Sequence, residues 1–434
     1  MACRSRRGAA LSRVFAVDVG SSSVRAQHFD RQGEPDGKLR REAYESADPG
    51  DVVAAVRRVL HGHDPDAISC FAHSLVAVDS NWNALTPILG WRDTRSAGAA
   101  ERLAQRLDAA EVHARTGAFL HPSFWPAKLA WLAEDEPEIF RRAEWFVSFA
   151  DYLRGAPETS LSMASTSGLV DLTTHEWDEE LLAAVGVDRN RLPQIADIPL
   201  WSDAACSNAG TGCTTRERAA LMVGTSGALR VLYESEQPQP KPGLFLYLAD
   251  EHRVVEGGAL SDGGNLYAWL ERTLAESSGS LAERDPSDHG LVFLPFLGGE
   301  RSTGWNPEAR GTIHGLTFAT TPLDIRQAAY EGVAFRFAAI ADLLPEVHDV
   351  VATGAGLLQD RDWIQIMADA LAQPVHVSGV PEASLRGAAV LALERAGHEV
   401  ADAPTVEVVE PRPDRVEVYR AAREAQQRLY DALT

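Results

Sequence analysis

Two regimes of apolar and polar positions alternate along the chain. From Val14 the run Val-Phe-Ala-Val-Asp-Val is apolar, Gly20 to Ser23 are small, and Val24 to Asp30 alternate, which predicts a β-hairpin opening the protein. Ala219 to Tyr233 repeats that grammar around the turn Gly224-Thr-Ser-Gly227, so the chain is expected to hold two halves that begin alike. Apolar residues three and four apart predict helices over 99–107, 126–132, 325–344, 363–371 and 384–396. Short apolar runs predict strands over 67–71, 291–296, 350–353 and 374–377. This alternation predicts α/β lobes with mixed sheets covered by helices, divided around Gly210 to Arg218 into residues 14–212 and 213–434. The Pro-rich run from Gln237 to Pro242 reads as a loop within the second half.

A chain of 434 residues is long for one domain and comfortable for two. Its formal charge of -21 opposes sequence-independent binding to nucleic acid or an anionic membrane, since both need a basic surface. No apolar run approaches the roughly 20 residues needed to span a bilayer. Lysine occurs only at Lys38, Lys128 and Lys241, so arginine carries nearly all the positive charge; a GC-rich genome and a salt-loving host give the same bias. Cys3, Cys70, Cys206 and Cys213 form no C-x-x-C pair, which fits free thiols in a reduced cytoplasmic compartment. Residues 1–13 are arginine-rich and free of acids; they are expected to be a short disordered leader, because the apolar segment that follows belongs to the first hairpin.

Both turns have the chemistry to hold phosphate. A turn of Gly, Ser and Thr between strands can aim several N–H groups and hydroxyls at one anion with no bulky Cβ in the way. In the first, Gly20, Ser21, Ser22 and Ser23 follow Asp18, whose carboxylate could hold hydrated Mg²⁺ against the phosphates. In the second, Gly224, Thr225, Ser226 and Gly227 could clamp the other side of a triphosphate. A lone turn of this kind is more often a tight hairpin; two in matching places favour phosphate. No G-x-x-x-x-G-K-S/T occurs, and neither turn leads into a helix as a dinucleotide fingerprint would.

The most specific segment is Gly311-Thr-Ile-His-Gly-Leu-Thr-Phe-Ala-Thr-Thr-Pro-Leu-Asp-Ile-Arg-Gln-Ala-Ala-Tyr-Glu331. It resembles the second signature of the FGGY carbohydrate kinases at every defined position. Ser123-Phe-Trp-Pro-Ala-Lys-Leu-Ala-Trp-Leu132 resembles the first signature, keeping Lys128 and Trp131 but placing Trp125 where the pattern usually has Pro, Ser or Thr. His73-Ser-Leu75, Trp91 to Arg95, Gly299 to Trp305, Thr353 to Gly356 and Glu382 to Ala388 are also similar to the family, so the resemblance covers almost the whole chain. His73-Ser-Leu75, the run near Leu120 and Cys206-Ser-Asn208 look most like gluconate-kinase-type members. The chain is shorter than typical members, with losses after Gly155 and between Ile195 and Trp201.

The resemblance implies two actin-like (ribonuclease H-like) ATPase lobes around a central cleft, ATP and Mg²⁺ as cofactors, and a sugar, sugar acid or polyol as acceptor. D-gluconate is the favoured acceptor, with xylulose or another pentulose or polyol second. A switch-type ATPase and a degenerate kinase are the remaining alternatives; Ser202 and Ala204, where the family usually has glycine, motivate the latter. A sugar hydroxyl needs a carboxylate to accept its proton, and Asp203 in Ser202-Asp203-Ala204-Ala205 is the candidate. An isolated Asp there would more often be a helix N-cap. Asp203 and Asp18 are expected to hold Mg²⁺ through water. His73, Ser74, Trp91, Asp93 and Arg95 are the expected acceptor contacts, supplying polar partners and an apolar ring face. Their plain alternatives are a core histidine, a packing residue and an exposed ion pair. Gly354, Ala355 and Gly356 match the stretch against which adenosine packs, and Gly298-Gly299 and Thr303-Gly304 are expected as loop elements over the cleft. A sugar acid would also need an arginine or a backbone nest for its carboxylate. Homodimers are frequent in the family, and no segment marks an interface.

Overall fold

The first hairpin forms as expected, in a computed structural model that describes residues 12–275, 279–281 and 283–434. Residues 1–11, with Cys3 and most of the expected leader, lie outside the described residues. Arg13–Val19 and Ser23–Asp30 pair antiparallel with Val19 opposite Val24, and the Gly20 N–H closes the turn onto the Ser23 carbonyl at 3.0 Å. Every residue from Val14 to Val19 is buried, as expected where a sheet is covered on both faces. The sheet runs in the order Arg40–Ala43, Ser23–Asp30, Arg13–Val19, Ala67–Cys70, Leu200–Ser202; the first two pairings are antiparallel and the last two parallel.

The second half repeats this plan. Arg218–Val223 and Gly227–Glu234 form its hairpin, with Val223 opposite Gly227. Its seven-stranded sheet runs Phe245–Leu248, Arg253–Leu260, Gly227–Glu234, Arg218–Val223, Asp349–Thr353, Val375–Ser378, Thr405–Val409. Its five middle strands show the same succession of two antiparallel and two parallel pairings as the first sheet. The outer strands Phe245–Leu248 and Thr405–Val409 are additions at its edges.

The expected helices appear as Ala97–Ala104, Trp125–Asp135, Pro322–Asp342, Arg361–Leu371 and Ala383–Arg395. The Pro322 helix starts sharply because Thr321 and Asp324 form a reciprocal capping box ahead of a proline in its first turn. The expected strands appear as Ala67–Cys70, Val292–Leu294, Asp349–Thr353 and Val375–Ser378. Residues 237–242 lie in a loop between two strands of the second sheet. No helix among the described residues is long and apolar enough to cross a membrane.

A helix follows the fifth core strand of each sheet: Asp203–Gly210 in the first half and Ala383–Arg395 in the second. The two helices cross, and their backbones touch. A Cβ on Gly387 would lie 1.7 Å from the Cys206 carbonyl oxygen, and one on Gly210 would lie 1.9 Å from that of Ala383. Leu385, Ala388 and Ala389 share one apolar core with Val14, Ala16 and Ala67 of the first sheet, and that core continues through Ala204 and Ala205 to Ala228 and Leu232 of the second. Each half thus lends a helix to the seam between the sheets. The Arg386 side chain locks it, donating to the carbonyls of Gly33, Gly210 and Ala401.

Close backbone approach makes this seam intolerant of a single methyl. Gly387→Ala is expected to lower stability by about 3 kcal/mol, the upper end of ordinary overpacking costs, read as an earlier denaturant midpoint. Gly90→Ala, where a Cβ would meet nothing within 4 Å, is the matched control and should leave the midpoint in place.

Candidate active site

A cleft of about 1140 Å³ opens between the two hairpin turns and the head of the Asp203–Gly210 helix. Gly20, Ser21 and Ser22 of the first turn line it, and Ser23 does not: its side chain is buried in the hairpin. Asp18 reaches the cleft from the strand before the turn. One of its oxygens accepts from Ser69 Oγ at 2.7 Å and the other from Arg25 Nη1 at 3.0 Å. Arg25 also pairs through Nε with Glu382 at 2.9 Å, directly before the Ala383–Arg395 helix, so an Asp18–Arg25–Glu382 chain bridges the two halves. Gly20 permits it, because a Cβ there would meet Arg25 Nη1 at 2.8 Å. Burial raises the Asp18 carboxyl above its ordinary range, and Arg25 and Ser69 act against it.

The second turn, Gly224 to Gly227, lines the opposite wall. Its shape is held from behind, where the N–H groups of Gly264 and Asn265 donate to the carbonyls of Gly224 and Thr225 at 2.8 and 3.0 Å. Gly354 sits at φ +94°, where a Cβ would lie 2.4 Å from the Val223 carbonyl oxygen; a Cβ on Gly356 would lie 2.6 Å from that of Gly224. Ala355 lies between them, exposed on the cleft. Glycine is therefore required on either side of Ala355, while the methyl at 355 has room.

Ser202, not Asp203, caps the helix between them: Ser202 Oγ accepts from the Ala205 N–H at 3.3 Å, and Asp203 is the first helical residue. Its carboxylate is thereby free to face the cleft, where one oxygen accepts from the Ala72 N–H at 3.3 Å. Burial raises the Asp203 carboxyl, Arg230 lowers it, and the nearby Asp18 charge raises it again.

Of the five expected acceptor contacts, His73 and Trp91 line the cleft. His73 has a left-handed backbone, φ 64°, pinned by Lys128 Nζ donating to its carbonyl at 2.6 Å. Its Nδ1 lies 2.7 Å from the Thr166 carbonyl oxygen, so Nδ1 carries the proton and Nε2 is left as an acceptor. Burial, with Arg301 and Lys128 nearby, holds this imidazole well below its ordinary value and hence neutral. The other three lie off the cleft. Ser74 Oγ is buried and accepts from the Phe149 N–H, while Asp93 and Arg95 pair with each other and Arg95 stacks over Trp131.

Arg230, Tyr247 and Arg301 also line the cleft, and the sequence reading named none of them as site residues. A charge inside the apolar strand Ala-Leu-Arg-Val-Leu was the available signal for Arg230. Arg301 lies between the expected loop elements Gly298-Gly299 and Thr303-Gly304; it is buried and lines the cleft, and Glu300 and Ser302 beside it are buried too. Glu300 is ion-paired to Arg336 at 2.6 Å.

Comparison with known proteins agrees with this geometry. Residues 13–199 match the N-terminal domain, and residues 219–395 the C-terminal domain, of the FGGY family of carbohydrate kinases. A gluconokinase of Bacillus subtilis (strain 168) is 30% identical over 89% of this chain and 88% of its own. Among solved structures, a gluconate kinase from Lactobacillus acidophilus superimposes with a TM-score of 0.84 at 25% identity, covering 97% of this chain and 98% of that one. A ligand-bound xylulose kinase from the same organism gives 0.85 at 25% identity, covering 98% of each. Two matched domains over a duplicated actin-like core place the chain in the FGGY family of carbohydrate kinases, ATP-dependent enzymes that phosphorylate a sugar.

Proposed function

We propose that this protein is a gluconate kinase, in which lobes 14–212 and 213–434 close over ATP and the γ-phosphoryl group passes to a hydroxyl of D-gluconate. The observation that carries the reading is Asp203, held at a helix start and opening onto a cleft shared with both phosphate turns and with His73 and Trp91. The gluconokinase and gluconate kinase relatives support the choice of acceptor. Xylulose or another pentulose is the second reading, favoured by the equally close xylulose kinase structure.

Asp203 accepts the proton of the attacking hydroxyl. Burial raises its pKa, while Arg230 and its place at the positive end of a helix favour the ionised form. His73 Nε2 accepts from an acceptor hydroxyl, and Trp91 offers a flat face to the carbon chain. Thr225 and the turn amides surround the phosphates, and Gly354, Ala355 and Gly356 seat the adenosine. Asp18 and Asp203 share the cleft within electrostatic reach, and both already accept protein hydrogen bonds, so they suit Mg²⁺ bound through its water shell. Bound Mg²⁺ would neutralise phosphate charge during transfer. Lobe closure keeps water from the γ-phosphoryl group.

Asp203 works only when ionised, so kcat/KM should rise with pH through its pKa and level off above it. Because burial raises that pKa, the midpoint is expected above the 3.8 of a free aspartate. Coupled ADP release with gluconate should fall roughly 10²- to 10⁴-fold in Asp203→Asn, the usual contribution of a positioned base, and the acid limb should vanish. An unchanged rate in Asp203→Asn would remove the base from the mechanism. Gly354→Ala is expected to raise the KM for ATP about tenfold, the equivalent of 1.4 kcal/mol of lost binding, in the same assay at saturating gluconate.

A further inference from the structure

Two guanidinium groups lie buried in the cleft with Asp203 as their nearby acid but, among the described residues, no carboxylate in ion-pair contact with either. Arg230 and Arg301 are 5% and 6% exposed, and both line the cavity. Neither forms an ion pair among the described residues, and the Nε of each is buried without a hydrogen-bond partner. Arg230 donates from Nη2 to Ser207 Oγ at 3.2 Å. Arg301 lies over the rings of Trp91 and Trp305, 5.3 and 5.8 Å from their centroids, with Nη2 3.5 Å from His73 Nε2. The hydroxyl of Tyr247, 1% exposed and also lining the cavity, is a third buried polar group without a partner.

Such an arrangement is costly as it stands. Arginine does not discharge by losing a proton, and burying two like charges together with a single carboxylate nearby is unfavourable. Burial pulls both guanidinium groups below their ordinary value, and Arg230 adds repulsion at Arg301. Asp203 offsets part of this. An anionic ligand that fits two planar forks and a hydroxyl would satisfy all three groups at once.

We propose that Arg230, Arg301 and Tyr247 form the receptor for the carboxylate of a sugar-acid acceptor and set the preference for acid over neutral sugars. Arg301 belongs to the acceptor end through its contacts with His73 and Trp91, whereas the nucleotide cradle is built from Gly224, Gly264, Gly354 and Gly356 packed on one another. The carboxylate anchors one end of the chain, and the hydroxyl to be phosphorylated is presented to Asp203. This assignment rests on the gluconate reading of the site.

Tryptophan fluorescence of the whole protein, with Trp91 and Trp305 beside Arg301 as reporters, would measure binding of D-gluconate and of D-glucitol, which has CH₂OH in place of the carboxylate. The wild type is expected to prefer the acid by roughly tenfold to hundredfold, the range for hydrogen bonds between charged groups. Arg301→Gln and Arg230→Gln should each bring the ratio of the two dissociation constants close to one. Should a glutamine variant fail to fold, Arg301→Lys keeps the charge but loses the planar fork, and should cut the preference several-fold. A wild type without preference would overturn the sugar-acid reading itself. A wild-type preference that survives in the variants would overturn the receptor and leave that reading standing. Equal loss of turnover on both acceptors with an unchanged binding ratio would assign the arginines to the transferring phosphoryl group, and would equally overturn the receptor.

Discussion

The architecture depends on the contact between two helix backbones. Gly210 and Gly387 let the Asp203–Gly210 and Ala383–Arg395 helices meet with no side chain between them, and each helix buries its small apolar face in a core shared by both sheets. The chemistry hangs from the ends of these helices. Asp203 begins one, and Glu382 immediately precedes the other, where it draws Arg25 and through it Asp18 into place. Packing at the seam and charge placement at the cleft are therefore one constraint: a shift of either helix moves Asp203 relative to the first turn.

Much of the fold was legible because its signals are local. The paired hairpins with small-residue turns, and helices with apolar positions three and four apart, appear where the pattern put them, and the duplication seen in the two turns extends to five strands of each sheet. The reciprocal lending of helices was not legible. Nothing local in Ala383–Arg395 says that its alanines and leucines face the first sheet, since a small-residue helix reads the same whichever sheet it covers.

The site divides in the same way. Residues whose place follows from backbone shape, such as Gly227 and Gly354, stand out in the sequence, because only glycine meets their geometry. Side-chain contacts made across long sequence separations were harder. Asp93 and Arg95 are two residues apart and satisfy each other, while Arg230 and Arg301, 71 positions apart, converge on one cavity. Asp203 was legible as an acid, but the cap was not, since Ser202 and Asp203 are both competent caps and the structure gives the cap to Ser202 while Asp203 accepts from the Ala72 N–H.

A kinase of this kind must deliver phosphate to a sugar hydroxyl and not to water. Phosphorus-31 NMR of the enzyme with Mg-ATP and D-gluconate separates the two, because a phosphate monoester on carbon and inorganic phosphate resonate apart. A monoester signal should grow in step with ADP and require the sugar acid. Growth of inorganic phosphate alone, at a rate indifferent to gluconate and to other sugars, would contradict it.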